Sequence, residues 1–303
     1  MISTPNANLY FDVLCIGHAS YDLILSVPEH PRPDEKAVAT GLLGIGGGPA
    51  ANAAVMVAKL GGGAGFCGYL GEDVYGESHL LELQAEHVDT RLLMRGQAPT
   101  PLSIVLVKPD GKRALINYKG DTHSLPGNSV DFGGVRARVL LFDGHEPHLS
   151  LEALKIAKPY ATPSVLDAGS LHEGVLLLMD KVEYMVCSEK FAKQFAGSAP
   201  EALQRLAERN PVVVITLGEQ GLIWKRGEES GVLGAPPLTN IVDTTGAGDA
   251  FHGAFAAALA ENMDWLDMLR FASAAGGLCC TRLGARTGLP DRRQITRLLA
   301  DWR

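Results

Sequence analysis

The chain has 303 residues, 46% hydrophobic and 20% charged, a balance that excludes a disordered or fibrous polypeptide and leaves ample material for a buried core. A formal net charge of −7 with no run of lysine or arginine excludes a surface built for nucleic acid or an anionic membrane, so any phosphate site has to be local. No stretch reaches the roughly 18 apolar residues of a membrane span, and no basic region followed by an apolar run opens the chain, so a cytoplasmic location is expected.

In chain order, the apolar run at 12–16 reads as a buried strand, and 20–43 reads as extended. Helical character follows the glycine run at 50–60. Residues 101–118 are again extended, with a turn at Pro109-Asp110-Gly111 between two alternating stretches. Strands are then expected at 139–142, 164–166, 184–186 and 212–216, and helices at 151–158, 189–195, 200–209 and 250–260. Strands alternating with helices predict an α/β fold with a mostly parallel sheet covered on both faces. Segments 20–43 and 101–118 break that rhythm and are expected to form a small β-sheet lid that closes over a substrate. With no repeat, linker or low-complexity tract, 1–303 reads as a single domain.

The 35 glycines exceed the roughly 7% of an average chain, so many backbone positions need a close approach or a positive φ. The five cysteines, Cys15, Cys67, Cys187, Cys279 and Cys280, are odd in number and scattered in apolar segments, which argues against a disulfide framework. Cys279 and Cys280 are adjacent and so do not form a zinc knuckle. His145 and His148 have ligand-like spacing, but Pro147 is read as disrupting a helix there and no third ligand is evident.

The most informative stretch is Asp243-Thr244-Thr245-Gly246-Ala247-Gly248-Asp249-Ala250-Phe251, which leads into an alanine-rich helix. Two glycines at a helix start let successive amides point inward, where the helix dipole favours an anion. Asp249, in the first turn, is then placed to take a proton from a nucleophile beside that anion hole. The competing reading is a glycine turn capped by an aspartate.

This nine-residue string resembles the signature of the ribokinase-like, pfkB-type carbohydrate kinases. The resemblance implies a three-layer α/β/α fold, with Asp249 as catalytic base and the amides of Gly246, Ala247 and Gly248 holding the transferring phosphoryl. Gly46-Gly47-Gly48-Pro49-Ala50-Ala51-Asn52 resembles a second signature, in which Gly47, Gly48 and Asn52 match contacts to sugar hydroxyls. Residues 17–22 resemble the first strand and turn of these kinases, and Asp22 falls where the family holds substrate with a carboxylate. Residues 68–76 look like the family's glycine-aspartate-glycine turn, and 216–221 like its nucleotide-side loop, which implies nucleotide contacts at Ser188, Thr216, Gly218 and Gly221. One departure is Ser188-Glu189-Lys190-Phe191, where many members carry Asn-x-x-Glu; Glu189 is the substitute candidate for the magnesium shell, in a shifted register. Relatives hold a monovalent cation on carbonyls that Asp243 and Thr245 match, so the implied cofactors are ATP and Mg2+, with K+ beside them. Lid-on-lid packing in relatives implies a homodimer.

Segments 46–51, 116–118 and 270–282 look most like the ketohexokinase and sulfofructose kinase branch, which implies a ketose such as fructose, or a related pentose or hexose. Sulfofructose ranks lower because Asp143-Gly144-His145 offers no arginine. Asn117 and Lys36 project from the lid segments as possible substrate contacts, with solvent-facing roles equally open. The alternatives are a nucleoside kinase and a non-catalytic sugar or nucleotide binder on the same fold. Gly46-x-Gly48-x-x-Ala51, with Asp73 beyond it, also fits a dinucleotide fingerprint, but no strand is expected directly before it and Pro49 interrupts it. No P-loop sequence is present.

Overall fold

The computed structural model describes residues 8–110 and 112–302. The first half runs β1 (Leu9–Ile16), β2 (Ser20–Ser26), β3 (Gly41–Gly47), α1 (Pro49–Lys59), β4 (Ala64–Cys67), β5 (Tyr69–Gly71), α2 (Val74–Ala85), β6 (Met94–Gly96), β7 (Leu102–Val107) and β8 (Arg113–Tyr118). Next come β9 (Val135–Phe142), α3 (Pro147–Ala157), β10 (Ser164–Ala168), α4 (Glu173–Leu178), β11 (Tyr184–Ser188), α5 (Glu189–Ala196), α6 (Ala199–Ala207) and β12 (Val212–Thr216). The chain closes with β13 (Leu222–Arg226), β14 (Glu229–Leu233), α7 (Ala247–Ala260), α8 (Trp265–Cys279), α9 (Ala285–Gly288) and α10 (Arg292–Asp301).

An eight-stranded sheet has the order β14-β13-β12-β11-β10-β9-β1-β4, parallel from β4 to β12 and antiparallel at β13 and β14. Central strands are apolar along their whole length because helices cover both faces. Val13, Cys15, Val139 and Leu141 pack with α1, α7, α8 and α10, while Leu14, Ile16, Leu140 and Phe142 pack with α3 to α6. The architecture is three layers, α/β/α. No helix among the described residues is long and apolar enough to cross a membrane.

The two extended segments pair in a separate four-stranded sheet, β3-β2-β7-β8. Its register sets Ile45, Asp22, Ser103 and Asn117 in one row, so these side chains share a face. Leu23, Leu25, Leu42, Ile104, Leu106 and Ile116 fall on the other face. Val38, which the sequence pattern groups with that apolar set, instead lies in the unpaired segment before β3 and is 81% exposed. Lys36 lies exposed in the same segment. Gly111 of the expected turn lies outside the described residues, but Lys108 N donates to Lys112 O at 2.9 Å across the β7–β8 connection.

Two expectations change. Pro147 does not break a helix but begins α3, where a missing N–H leaves nothing unpaired. A strand does precede the glycine run at 46–48, namely β3, but it belongs to the small sheet and not to a parallel β-α-β unit. Asp73 is also committed elsewhere: it caps α2 through Gly76 N at 2.8 Å and accepts from Thr100 N at 2.7 Å. The dinucleotide reading therefore has neither its strand nor its free carboxylate.

One close approach sets the site. A Cβ on Gly253 of α7 would stand 2.6 Å from Ala53 O and 2.7 Å from Met56 Cβ of α1. Only glycine lets these two helices meet here. We expect Gly253→Ala to destabilise the fold by about 1–3 kcal/mol through overpacking, measured as a shift of the urea midpoint at unchanged slope. A variant as stable as the parent would show that the helices can part freely.

Candidate active site

Strands β1, β9, β10, β11 and β12 run parallel and end at the same edge of the sheet, the edge where ligands of open α/β sheets bind. The loop before α7 arrives at that edge. Its shape is set by Asp243, whose Oδ1 accepts from Thr245 N at 2.9 Å and Thr245 Oγ1 at 2.7 Å, while Oδ2 accepts from Gly284 N at 2.9 Å. Burial pushes this carboxyl up, but those bonds outweigh it and hold it below the ordinary range. Arg113 of β8 also reaches Thr245 Oγ1 and Asp243 Oδ1.

Gly246 caps α7 with φ 79°, a conformation a side chain resists, and a Cβ there would meet Ala285 Cβ at 2.5 Å. The Gly248 and Asp249 amides have no intrahelical partner at a helix start. A Cβ on Gly248 would meet nothing within 4 Å, so no side chain or backbone crowds this glycine on its Cβ side.

Asp249 is held from α1. Asn52 Nδ2 donates to Asp249 Oδ2 at 2.7 Å, and Arg286 Nε donates to Asn52 Oδ1 at 3.1 Å. Arg286, only 4% exposed at its side chain, also pairs with Glu82 Oε2 at 3.2 Å and meets His79. Burial lowers its pKa to about 10, so it remains charged at neutral pH. Burial raises the Asp249 carboxyl and the Asn52 bond opposes that rise.

Asp22 lies over the glycine run. Its carboxyl oxygen would stand 2.4 Å from a Cβ on Gly47, while a Cβ on Gly46 would strike Arg286 and His79. Gly48 has φ 95°, and a Cβ there would stand 2.4 Å from His18 O. Asp143, just past β9, accepts from His18 N at 2.7 Å, Ala50 N at 3.1 Å and His145 N at 2.9 Å, tying three segments together. Above it three imidazoles form a column. His18 and His145 centroids are 5.0 Å apart, and His145 and His172 lie 4.7 Å apart and nearly parallel. Burial and the neighbouring His145 lower the pKa values of His18 and His172, so both are neutral at pH 7.

A family model for the pfkB carbohydrate kinases matches residues 11–292. The chain belongs to that family. It is 28% identical over 293 residues to the ribokinase of Bacillus subtilis, covering 95% of this chain and 99% of that protein. A fructokinase-1 from Oryza sativa is 28% identical, over 84% of this chain and 88% of its own. A solved structure of Arabidopsis thaliana ribokinase complexed with ribose and ATP superposes with TM-score 0.82 at 25% identity, over 96% of this chain and 99% of that one. The Thermotoga maritima ribokinase structure matches equally well, with TM-score 0.82, 26% identity and the same coverage. The protein is an ATP-dependent kinase, a phosphotransferase with an alcohol acceptor. The ketohexokinase and sulfofructose kinase branch is matched only loosely, whereas ribokinases of Arabidopsis thaliana and Bacillus subtilis match nearly the whole chain.

The structure brings Asp249, Asn52, Asp22 and the amides at 246–248 to one edge, and it sets Asn117 in the row of Asp22. On the other candidate subsite, Ser188 ends β11, caps α5 through Phe191 N at 3.1 Å and donates to Gly169 O at 2.8 Å. Thr216 ends β12, and Gly218 and Gly221 take positive φ in the turn beyond it. Glu189 pairs with Lys193 at 2.7 Å on α5. Among the described residues no cluster of three or more His, Cys, Asp or Glu side chains that could hold a metal ion is present.

Arg286, Glu82, Asp167 and His252 went unnoticed in the sequence. A lone arginine amid small residues at 284–288 and an aspartate ending an apolar strand are the signals that mark two of them.

We expect Asp249→Asn to lower kcat by roughly 10²- to 10⁴-fold with ATP still bound. Because a base must be ionised, activity should fall as pH drops through a pKa above the ordinary aspartate value. Unchanged turnover in the variant would remove Asp249 from the chemistry.

Proposed function

We propose that this enzyme transfers the γ-phosphoryl of ATP to a hydroxyl of a small sugar of ribose type, with Asp249 as general base. The observation that carries the reading is the Asn52–Asp249 bond at the mouth of α7, which aims a carboxylate beside free amides. In the step envisaged, the sugar hydroxyl gives its proton to Asp249 as its oxygen bonds to phosphorus and the bond to the leaving ADP oxygen breaks. The amides of Gly246, Ala247 and Gly248 would receive the charge on the phosphoryl oxygens, with Gly248 unpartnered in the helix and Ala247 N giving up its 3.4 Å contact with Thr244 O.

Asp22, Gly47, Gly48 and Asn117 would face the sugar, with Asn52 orienting the base. The imidazole column adds ring nitrogens suited to hydroxyls. Ser188, Thr216, Gly218 and Gly221 would line the nucleotide side, with Glu189 reaching magnesium only if it leaves Lys193. Magnesium would neutralise charge on the bound phosphates. The relatives named for ribose favour a pentose over a ketose such as fructose. Potassium would rest on the Asp243 and Thr245 backbone carbonyls, while Arg113 pairs with the Asp243 carboxylate at 3.5 Å.

The deciding assay is ADP release with ATP, magnesium and a panel of ribose, fructose and nucleosides, each in potassium and in a bulky organic cation. Ribose should turn over fastest, and faster in potassium. Turnover of nucleosides alone would establish a nucleoside kinase, and no turnover with any acceptor a binding protein.

We further propose that the β3-β2-β7-β8 sheet covers the sugar as a lid and meets a second copy through its apolar face, on which Leu42 and Ile116 stand exposed. Light scattering over a dilution series should give twice the chain mass at micromolar concentration, and Ile104→Lys should abolish it. A mass that stays near 32.2 kDa would refute the dimer.

A further inference from the structure

His252 lies on α7 three residues beyond Asp249, so the two share a face of the helix. It is 3% exposed, and both of its ring nitrogens face carbonyl oxygens. Nδ1 is 2.6 Å from Gly248 O, and Nε2 is 3.3 Å from Val186 O on β11. A neutral imidazole has one N–H and one lone pair. In either tautomer one nitrogen lone pair would therefore oppose a carbonyl lone pair in a site closed to water. A protonated Asp167 would not mend this, because with Nε2–H on Val186 the bare Nδ1 would still confront Gly248 O. Only the imidazolium, with two N–H groups, satisfies both carbonyls.

The counter-charge is in place. Asp167 Oδ2, near the end of β10, stands 3.2 Å from Nδ1 and is itself buried. The elements packed around this part of α7 carry Asp249 itself, Asp143 past β9, Tyr184 of β11, whose ring lies 5.9 Å from that of Phe255, and the thiols of Cys15 on β1, Cys187 on β11 and Cys279 on α8. Every one of these is acidic or neutral. Burial lowers His252 below the ordinary imidazole range although the two carbonyls and Asp249 oppose it, and burial together with the neighbouring Asp249 and Asp143 carboxylates pushes Asp167 well above the carboxylate range. The carbonyl geometry decides for the charged pair, since the neutral pair leaves two lone pairs in contact.

We propose that His252 is a resident imidazolium, paired with the carboxylate of Asp167, and that it is a positioning residue that keeps Asp249 ionised and adds positive charge beneath the anion hole. It touches neither substrate nor the reacting atoms. Its influence on catalysis rests on the reading of Asp249 as base; its charge state does not.

The first test is therefore independent of activity. Long-range nitrogen–proton NMR of the full-length protein at pH 7 should show both His252 ring nitrogens protonated, and in Asp167→Asn one of them should become bare. A single protonated nitrogen in the parent protein would overturn the charged pair, and an unaltered imidazolium in Asp167→Asn would overturn Asp167 as its partner. The second test is the pH profile of kcat. His252→Gln should move the acid limb upward by about one pH unit, roughly tenfold in rate below the limb, and a limb that stays in place would overturn the positioning role. Should His252→Gln fail to fold, His252→Asn, which removes the same positive charge and leaves Asp167 in place, provides the same test. If Asp249→Asn retains full activity while the imidazolium is present, it is the base assignment that fails, and not the charge on His252.

Discussion

A single hydrogen bond, from Asn52 on α1 to Asp249 on α7, joins positions 197 residues apart, and much of the surrounding structure can be understood as what that bond requires. The two helices must be close, and Gly253 removes the side chain that would separate them. Asn52 must present its N–H to the carboxylate, and a primary amide can rotate to present either end. Arg286 settles the orientation by donating to Asn52 Oδ1, because a guanidinium has no acceptor and can face only the oxygen. The orientation of the Asp249 carboxylate is thus inherited from a residue that does not touch it.

Arg286 in turn has to remain charged while buried, which is unfavourable without partners. Glu82 supplies the opposing carboxylate and also accepts from Gly46 N at 2.7 Å, so the same oxygen that neutralises Arg286 fastens the glycine run. This explains why three successive glycines stand at 46–48. The first makes room for Arg286 and His79, the second for Asp22, and the third turns the backbone beside His18 O. A signature that reads in sequence as sugar contact is also the seat of the network that holds the base.

The main sheet was legible from its apolar runs, since β9 to β12 are buried on both faces and their composition says so. Strand β4, with the sequence Ala-Gly-Phe-Cys, and the short α4 were not, because small residues carry little periodicity and their places are set by neighbours already in position. Helix α8 was missed for a related reason, being rich in Ala and Gly, whereas α10, polar apart from Ile295, Leu298, Leu299 and Ala300, does carry a helical signal in that spacing and in its Asp291–Gln294 capping box. At the site, motif spacing pointed to Asp249, Asn52 and Asp22. It could not point to Arg286, Asp167 or His252, whose parts depend on which carbonyl or carboxylate stands across from them in three dimensions.

The small sheet shows how one alternation can serve two demands. Period-2 register places Asp22, Ser103 and Asn117 on one face and Leu23, Ile104 and Ile116 on the other, so a slip of one residue would reverse both. The polar row is pinned by what it meets: Asp22 by Ser20 Oγ at 3.0 Å and by the bare Cα of Gly47, and Arg113 at the far end of β8 by Thr245 and Asp243. Those last two belong to the loop that shapes the anion hole. A displacement of β8 would therefore be felt at the α7 N-terminus through Arg113 and in the row of Asp22 through Asn117. The same strand ties the polar face of the small sheet to the loop that leads into α7.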